Sequence, residues 1–324
     1  MNHLELTVEN GVLMRYSGTD AVLTLPDGVR EIGEKAFFGN KTLREITLPD
    51  SILRIEARAF ADLTTLQGIR LGEQVRVISP LAFSGCTALR EVRLPKRLTE
   101  LGFGAFSGCS ALKSIEIPDG VREISEHTFK DCTALESIRL PRDAGRLGSY
   151  ALRGCISLKE VYLGECLTEI GEGAFADCIA LTELSLPDTV KKTGISVFSG
   201  CSALKRVRLS DALAVIEDGT FSHCTALQEV SLPRGVRRVG RGAFERCSSL
   251  VRLLIPDGVR EIPAFALAFC DALEELSLPA SVTELHERAL LGCPRLTLLC
   301  PKGSAAMRYA KENGIPFGLI KGTP

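Results

Sequence analysis

Leu25-Pro26-Asp27-Gly28-Val29-Arg30-Glu31-Ile32-Gly33-Glu34-Lys35-Ala36-Phe37-Phe38-Gly39-Asn40-Lys41-Thr42-Leu43-Arg44-Glu45-Ile46-Thr47 is one period of this chain. Advance by 23 residues and the pattern returns at Leu48, then at Leu71, Leu94, Ile117, Leu140, Leu163, Leu186, Leu209, Leu232, Ile255 and Leu278. Twelve units follow without insertion or deletion. Self-similarity at a fixed short period marks a repeat architecture. One unit cannot bury its apolar face alone, and stacked units bury it against each other.

Each column of the repeat has a physical reading. Leu43-x-x-Ile46-x-Leu48 is a short strand whose Ile46 and Leu48 point inward while Glu45 and Thr47 point out. Pro49 closes the strand, since proline cannot donate to a ladder. Asp27-Gly28 supplies the turn that follows, and Val29 and Ile32 add two inward groups. Gly33 is expected to allow a sharp bend, with Ser79 and Ser125 as caps in the same column. Glu34 to Phe38 is expected to form one helical turn with Ala36 and Phe37 inward. The leucine at Leu43 recurs in all twelve units, and the phenylalanine at Phe37 gives way to leucine only at Leu152, Leu267 and Leu290.

The unit resembles the leucine-rich repeats through L-x-x-L-x-L. It resembles the BspA-like subfamily more closely, through L-x-x-I-x-L-P-x-x-V-x-x-I-G-x-x-A-F-x-x-C, which Leu158 to Cys178 follows almost residue by residue. The resemblance implies an α/β repeat fold: a right-handed solenoid with a parallel sheet on its concave face and short helical turns opposite. It also implies no catalytic residues and a role in adhesion or protein recognition, often on bacterial surfaces. One departure matters. The asparagine slot after the strand holds Gly28, Ser51, Gln74 and Arg97, so no asparagine ladder closes these turns.

Three segments are expected. Residues 1–24 read as an N-terminal hairpin cap, with Leu4-x-Leu6-x-Val8 turning at Glu9-Asn10-Gly11 into Val12–Tyr16. Residues 25–300 are the solenoid, expected to form one elongated particle. Residues 301–324 are a helical cap, with Ser304 starting a helix over residues 305–313 and Gly314 stopping it.

Composition limits the function. Thirty-nine basic residues face forty acidic ones. Phosphate binding normally shows as a basic excess, so no nucleic-acid partner is expected. No apolar run reaches the ~18 residues a membrane helix needs, so no membrane insertion is expected. Met1–Asn10 has neither a basic start nor a long apolar stretch and does not read as a signal peptide. With Met1 as the native start the expected location is cytoplasmic; the alternative is the cell surface or secretion.

Ten of the twelve cysteines share one column: Cys86, Cys109, Cys132, Cys155, Cys178, Cys201, Cys224, Cys247, Cys270 and Cys293. Asn40 and Leu63 hold that column in the first two units. Stacked columns lie about 5 Å apart with parallel side chains, which suits a buried ladder of reduced thiols rather than disulfides. No CxxC pair occurs, and neither a metal nor a cofactor is expected. Cys166 falls in a turn and Cys300 at the last strand. The histidines His3, His127, His223 and His286 occupy unrelated columns. His223 adjoins Cys224, but a nucleophile needs its base in space, and Cys224 should face the core. The chain is therefore read as a non-enzymatic, monomeric protein-binding scaffold, with a surface adhesin or a cysteine-based metal or redox protein as alternatives.

Two surfaces are candidate sites. Arg139, Tyr162, Ser185 and Arg208 are successive members of one outward strand column. They offer planar forks and an aromatic body to an acidic, extended protein segment. Arg234, Arg237, Arg238, Arg241 and Arg246 gather within one unit and its turn, offset locally only by Glu245.

Overall fold

The computed structural model describes residues 5–320; His3 and Leu4 lie outside them. The chain is a parallel-strand solenoid of about 13 turns of ~23 residues. It divides into two compact units, Met1–Leu167 and Thr168–Pro324.

In the first unit the main ladder runs through Val22–Thr24, Glu45–Thr47, Gly68–Arg70 and Glu91–Arg93, all parallel. Ser114–Glu116, Ser137–Arg139 and Glu160–Tyr162 form a further three-stranded sheet. Every pairing in these two sheets steps by 23 residues, as Glu45↔Gly68 and Arg139↔Tyr162. Ile46 is buried and Glu45 exposed, so alternation sets the face as the sequence indicated. Val22–Thr24 supplies a strand ahead of the first full repeat, which accounts for a turn beyond the twelve units.

A second parallel ladder consists of two-residue strands after its first, five-residue one. It runs through Val12–Tyr16, Glu31–Ile32, Arg54–Ile55, Val77–Ile78 and Glu100–Leu101, burying Leu13, Ile32, Ile55, Ile78 and Leu101 in one column. Leu6–Glu9 pairs antiparallel with Val12–Tyr16, turning at Asn10 and Gly11, both at positive φ. Tyr16 stands at the foot of the phenylalanine column, its ring 5.2 Å from Phe37.

Glu34 to Phe38 is a chain of tight turns, not the helical turn expected. The reason is backbone handedness. Lys35 and Gly39 have φ of 57° and 68°, and the same two columns are left-handed in rung after rung, as at Arg58 and Asp62 or Leu81 and Gly85. An α-helix tolerates no such residues in its interior. Alternate amides serve two partners. Ala36, Phe38 and Asn40 donate three residues back, while Lys35, Phe37 and Gly39 donate to Ala57, Ala59 and Ala61 of the next rung. The turn face is thus a third inter-rung ladder. Gly33 is not at positive φ; its reason is close approach, since a Cβ there would stand 2.8 Å from the Leu13 carbonyl oxygen.

Two columns of large side chains run through the core of the first unit. Leu43, Leu66, Leu89, Leu112, Leu135 and Leu158 are wholly buried. Phe37, Phe60, Phe83, Phe106 and Phe129 form a stack with centroids 4.9, 5.2, 5.1 and 5.8 Å apart. In the second unit Phe175, Phe198, Phe221 and Phe244 stack in the same way at 5.6, 5.5 and 5.3 Å. Its main strands include Glu183–Ser185, Arg206–Arg208 and Glu229–Val230, then Arg252–Leu254, Glu275–Ser277, Thr297–Cys300 and Phe317–Leu319. The step shortens at the end: Glu275 pairs with Thr297, 22 residues on. Ser304 accepts from the Met307 amide and caps the helix Ala305–Glu312, which buries Ala306, Tyr309 and Ala310.

The cysteines of the column are free thiols, buried from Cys86 to Cys270 and half-buried at Cys293. They are not merely small fillers. Cys109 Sγ donates to the Phe83 carbonyl at 3.2 Å, and the Cys86 amide donates to the same oxygen at 3.2 Å. The pattern repeats at Phe106 and Phe129, and in the second unit at Phe198, Phe221 and Phe244. Each thiol fills the second lone pair of a buried carbonyl with a weak donor. Cys166 is the exposed cysteine. Native protein treated with a thiol reagent under reducing-agent-free conditions is therefore expected to label Cys166 promptly, and the column from Cys86 to Cys270 only after denaturation. Prompt labelling of Cys109 or Cys132 would contradict this burial.

Candidate functional site

The outward strand face carries the side chains free to meet a partner. In the first unit the Arg139 guanidinium carbon lies 4.6 Å above the Tyr162 ring, a cation–π contact. Tyr162 Oη donates to Glu160 at 3.1 Å. Both residues line a hollow of about 810 Å³ with Lys96, Glu116, Asp119 and Arg142. Tyr162 is 47% exposed, so its ring remains available.

In the second unit Ser185 and Arg208 are register partners on paired strands. Arg208 is already engaged. Its Nη2 donates to both Asp188 carboxylate oxygens at 2.9 Å, and Nη1 to the Leu186 carbonyl at 3.0 Å. That hydrogen bonding holds the Asp188 carboxyl below its ordinary value and raises Arg208. Sequence could not show this clamp, because Asp188 lies twenty positions away, in the turn that follows the neighbouring strand.

The arginine group of the second unit is more neutralised than its local sequence suggested. Glu217 and Asp218, from the preceding turn, both pair with Arg238. Arg237 Nη1 donates to the carbonyls of Arg234, Val236 and Asp257 at 2.9, 3.0 and 3.2 Å. Arg241 lies 5.5 Å from the Phe265 ring and Arg246 5.0 Å from the Phe269 ring. A residue-by-residue charge count misses partners that the 23-residue step brings alongside.

His223 and Cys224 do not form a dyad. His223 Nδ1 lies 2.8 Å from the Ser222 hydroxyl at the surface, while Cys224 Sγ donates inward to the Phe198 carbonyl at 3.1 Å. Burial pushes the Cys224 thiol well above its ordinary value, the opposite of nucleophile activation. Among the described residues no group of three His, Cys, Asp or Glu side chains could hold a metal ion. No helix among them is long and apolar enough to cross a membrane.

The family model described as a BspA type leucine rich repeat region matches residues 19–136, 82–204, 123–247 and 192–304. Among solved structures, the chain is similar to a leucine-rich repeat protein from Bacteroides ovatus. The identity is 28% over 97% of either chain, with a TM-score of 0.63. It is similar to the pneumococcal vaccine antigen PcpA at 20% identity, over 97% of this chain and 96% of that one, with a TM-score of 0.64. It is also similar to a leucine rich cell surface protein from Faecalibacterium prausnitzii at 21% identity, over 94% and 93% of the two chains, with a TM-score of 0.50. The last two share the fold alone. Comparison with curated proteins gives no match.

Proposed function

Since the chain belongs to the BspA-type leucine-rich repeat family, we propose that it is a non-catalytic protein-interaction module whose strand face takes an acidic, extended protein segment. The observation that carries this reading is the Arg139–Tyr162 pair, exposed above a hollow and held on rigid paired strands. A ladder-bound backbone loses little freedom on binding, and arginine and tyrosine are common interface anchors. Ser185 and Arg208 belong to the proposal as a separate contact of the second unit, the weaker of the two because Asp188 occupies the Arg208 fork. The non-catalytic part is supported by thiols turned into the core and by the bonding of His223 to Ser222.

The test is to capture a partner from lysate with the intact chain, then compare Arg139→Glu/Tyr162→Ala with Arg237→Glu/Arg238→Glu. The first pair is expected to weaken binding by roughly 30-fold or more, the scale of an interface hot spot, with circular dichroism unchanged. Binding should also weaken as salt rises. Normal binding by a folded first pair removes this site, and loss by the second pair alone moves it to the arginine group.

A second reading concerns place. The Faecalibacterium neighbour is described as a cell surface protein, and we propose a surface or secreted location here. The cytoplasmic expectation finds no support among the neighbours. Protease treatment of intact cells, followed by immunoblotting, should digest the protein; full protection would reverse the assignment.

A further inference from the structure

The strand face of the first unit has a second hollow, of about 780 Å³, lined among others by Glu45, Gly68, Arg70, Glu91, Arg93 and Glu116. Gly68 sits between Glu45 and Glu91 in one outward column, and Arg70 and Arg93 are neighbours in the next. A Cβ on Gly68 would meet no atom within 4 Å, so the glycine leaves a gap in the glutamate row. All four charged side chains are exposed. Among the described residues none of the four forms an ion pair, whereas Arg252 and Glu275 on another part of the strand face do, at 3.4 Å. Neighbouring like charges on adjacent strands are unfavourable, yet Arg70 stands beside Arg93 with no carboxylate between them. The two glutamates flank the gap in register, their strands about 10 Å apart at two rung steps. The hollow therefore presents a place for one cation and, beside it, a place for one anion.

The spacing of those places selects the ligand. The glutamate and arginine columns are two residues apart along each strand, about 6.6 Å. An extended peptide repeats its side chains on one face at that same distance. We infer that the Gly68 hollow binds an extended peptide carrying a basic and an acidic side chain two positions apart. The basic side chain enters over Gly68 between Glu45 and Glu91, and the acidic one meets the Arg70 and Arg93 forks. This site is distinct from the Arg139–Tyr162 hollow, although Lys96, Glu116 and Pro118 line both.

Two fluorescein-labelled peptides of equal composition test it, measured by anisotropy at about 50 mM salt, where surface charge is weakly screened. One is Ser-Lys-Ser-Glu-Ser-Lys-Ser-Glu-Ser, which sets opposite charges two apart in either direction. The other is Ser-Lys-Glu-Ser-Ser-Lys-Glu-Ser-Ser, which sets them adjacent and on opposite faces. The alternating peptide is expected to bind at least tenfold tighter. Gly68→Ile should remove that preference while keeping or raising the melting temperature, because a β-branched residue suits an open strand position better than glycine. Arg70→Glu/Arg93→Glu should remove it as well, and decides the matter if Gly68→Ile does not fold. Arg139→Glu should leave it intact, which separates this site from the one proposed above. Equal binding of the two peptides, wild-type binding by Gly68→Ile, or loss of the preference in Arg139→Glu would each overturn the inference.

Discussion

Phe83→Ala is expected to lower the unfolding free energy by about 3–5 kcal/mol, the range for aromatic truncation in a packed core. Phe83 is fully buried and lies 5.2 Å from Phe60 and 5.1 Å from Phe106, with interplanar angles of 4°. The site cannot close over the void. Phe60 donates to Ala82 and Phe83 to Ala105, both at 2.8 Å, so the rungs on either side are pinned at their spacing. An uncollapsed cavity costs more than a collapsed one. Phe83→Leu should cost less than half as much, because the column already accepts leucine at Leu152 and Leu267, both fully buried. Nearest-neighbour coupling in a solenoid should also spread faster amide exchange to the rungs of Phe60 and Phe106. Urea titration with hydrogen exchange checks both parts. A cost below about 1 kcal/mol, or exchange confined to the mutated rung, would mean that the stack does not couple the rungs.

What the sequence disclosed follows from which physical constraint wrote each column. Burial wrote Leu43, Ile46, Leu48 and Phe37, and burial repeats identically in each rung, so the main strands and their register were legible. The short second ladder was not. Glu31–Ile32 shows one buried residue and one half-buried neighbour, too short a run for alternation to register. The left-handed turns at Glu34–Phe38 are hidden in the sequence for a different reason. Left-handed backbone is visible when glycine marks it, but here Lys35, Arg58, Leu81, His127 and Tyr150 share their column with Gly104. The signal was present as glycines recurring in two columns four residues apart, Gly104, Gly173, Gly219 and Gly242 in one and Gly39, Gly85, Gly108, Gly154, Gly200 and Gly292 in the other. The strand-face site was legible only as residue types. That Arg139 stacks on Tyr162 while Arg208 is clamped depends on the side-chain directions of neighbouring rungs, which a column of letters does not carry.

Stability is expected to collapse between pH 9 and pH 10. Burial pushes the thiols of Cys86, Cys132 and Cys201 from 9.0 up to about 12. Cys109, Cys155 and Cys224 are driven well above 9.0 for the same reason. Above pH 9 the unfolded chain releases these protons while the folded chain keeps them. The unfolded state then binds fewer protons, and the unfolding free energy falls with rising pH. The stabilisation is intact below about pH 9 and is lost as pH climbs toward the folded values. Each fully titrating thiol contributes a slope of about 1.4 kcal/mol per pH unit. Cys86, Cys132 and Cys201 alone therefore remove about 4 kcal/mol per pH unit at full slope. That is a large part of the ~5–15 kcal/mol that usually separates folded from unfolded chains. Tyr16, itself raised to about 12 from 10.0, adds to the fall mainly above pH 10, so the thiols dominate the lower window. Urea titrations at pH 7.5, 9.0 and 10.0 in the presence of a reductant measure the slope. Cys132→Ala should flatten it by up to about 1.4 kcal/mol per pH unit, while lowering stability at pH 7.5 through the lost contact with the Phe106 carbonyl. An unfolding free energy that stays level to pH 10 would show that the column thiols ionise as readily folded as unfolded, and that they do not lie in the core.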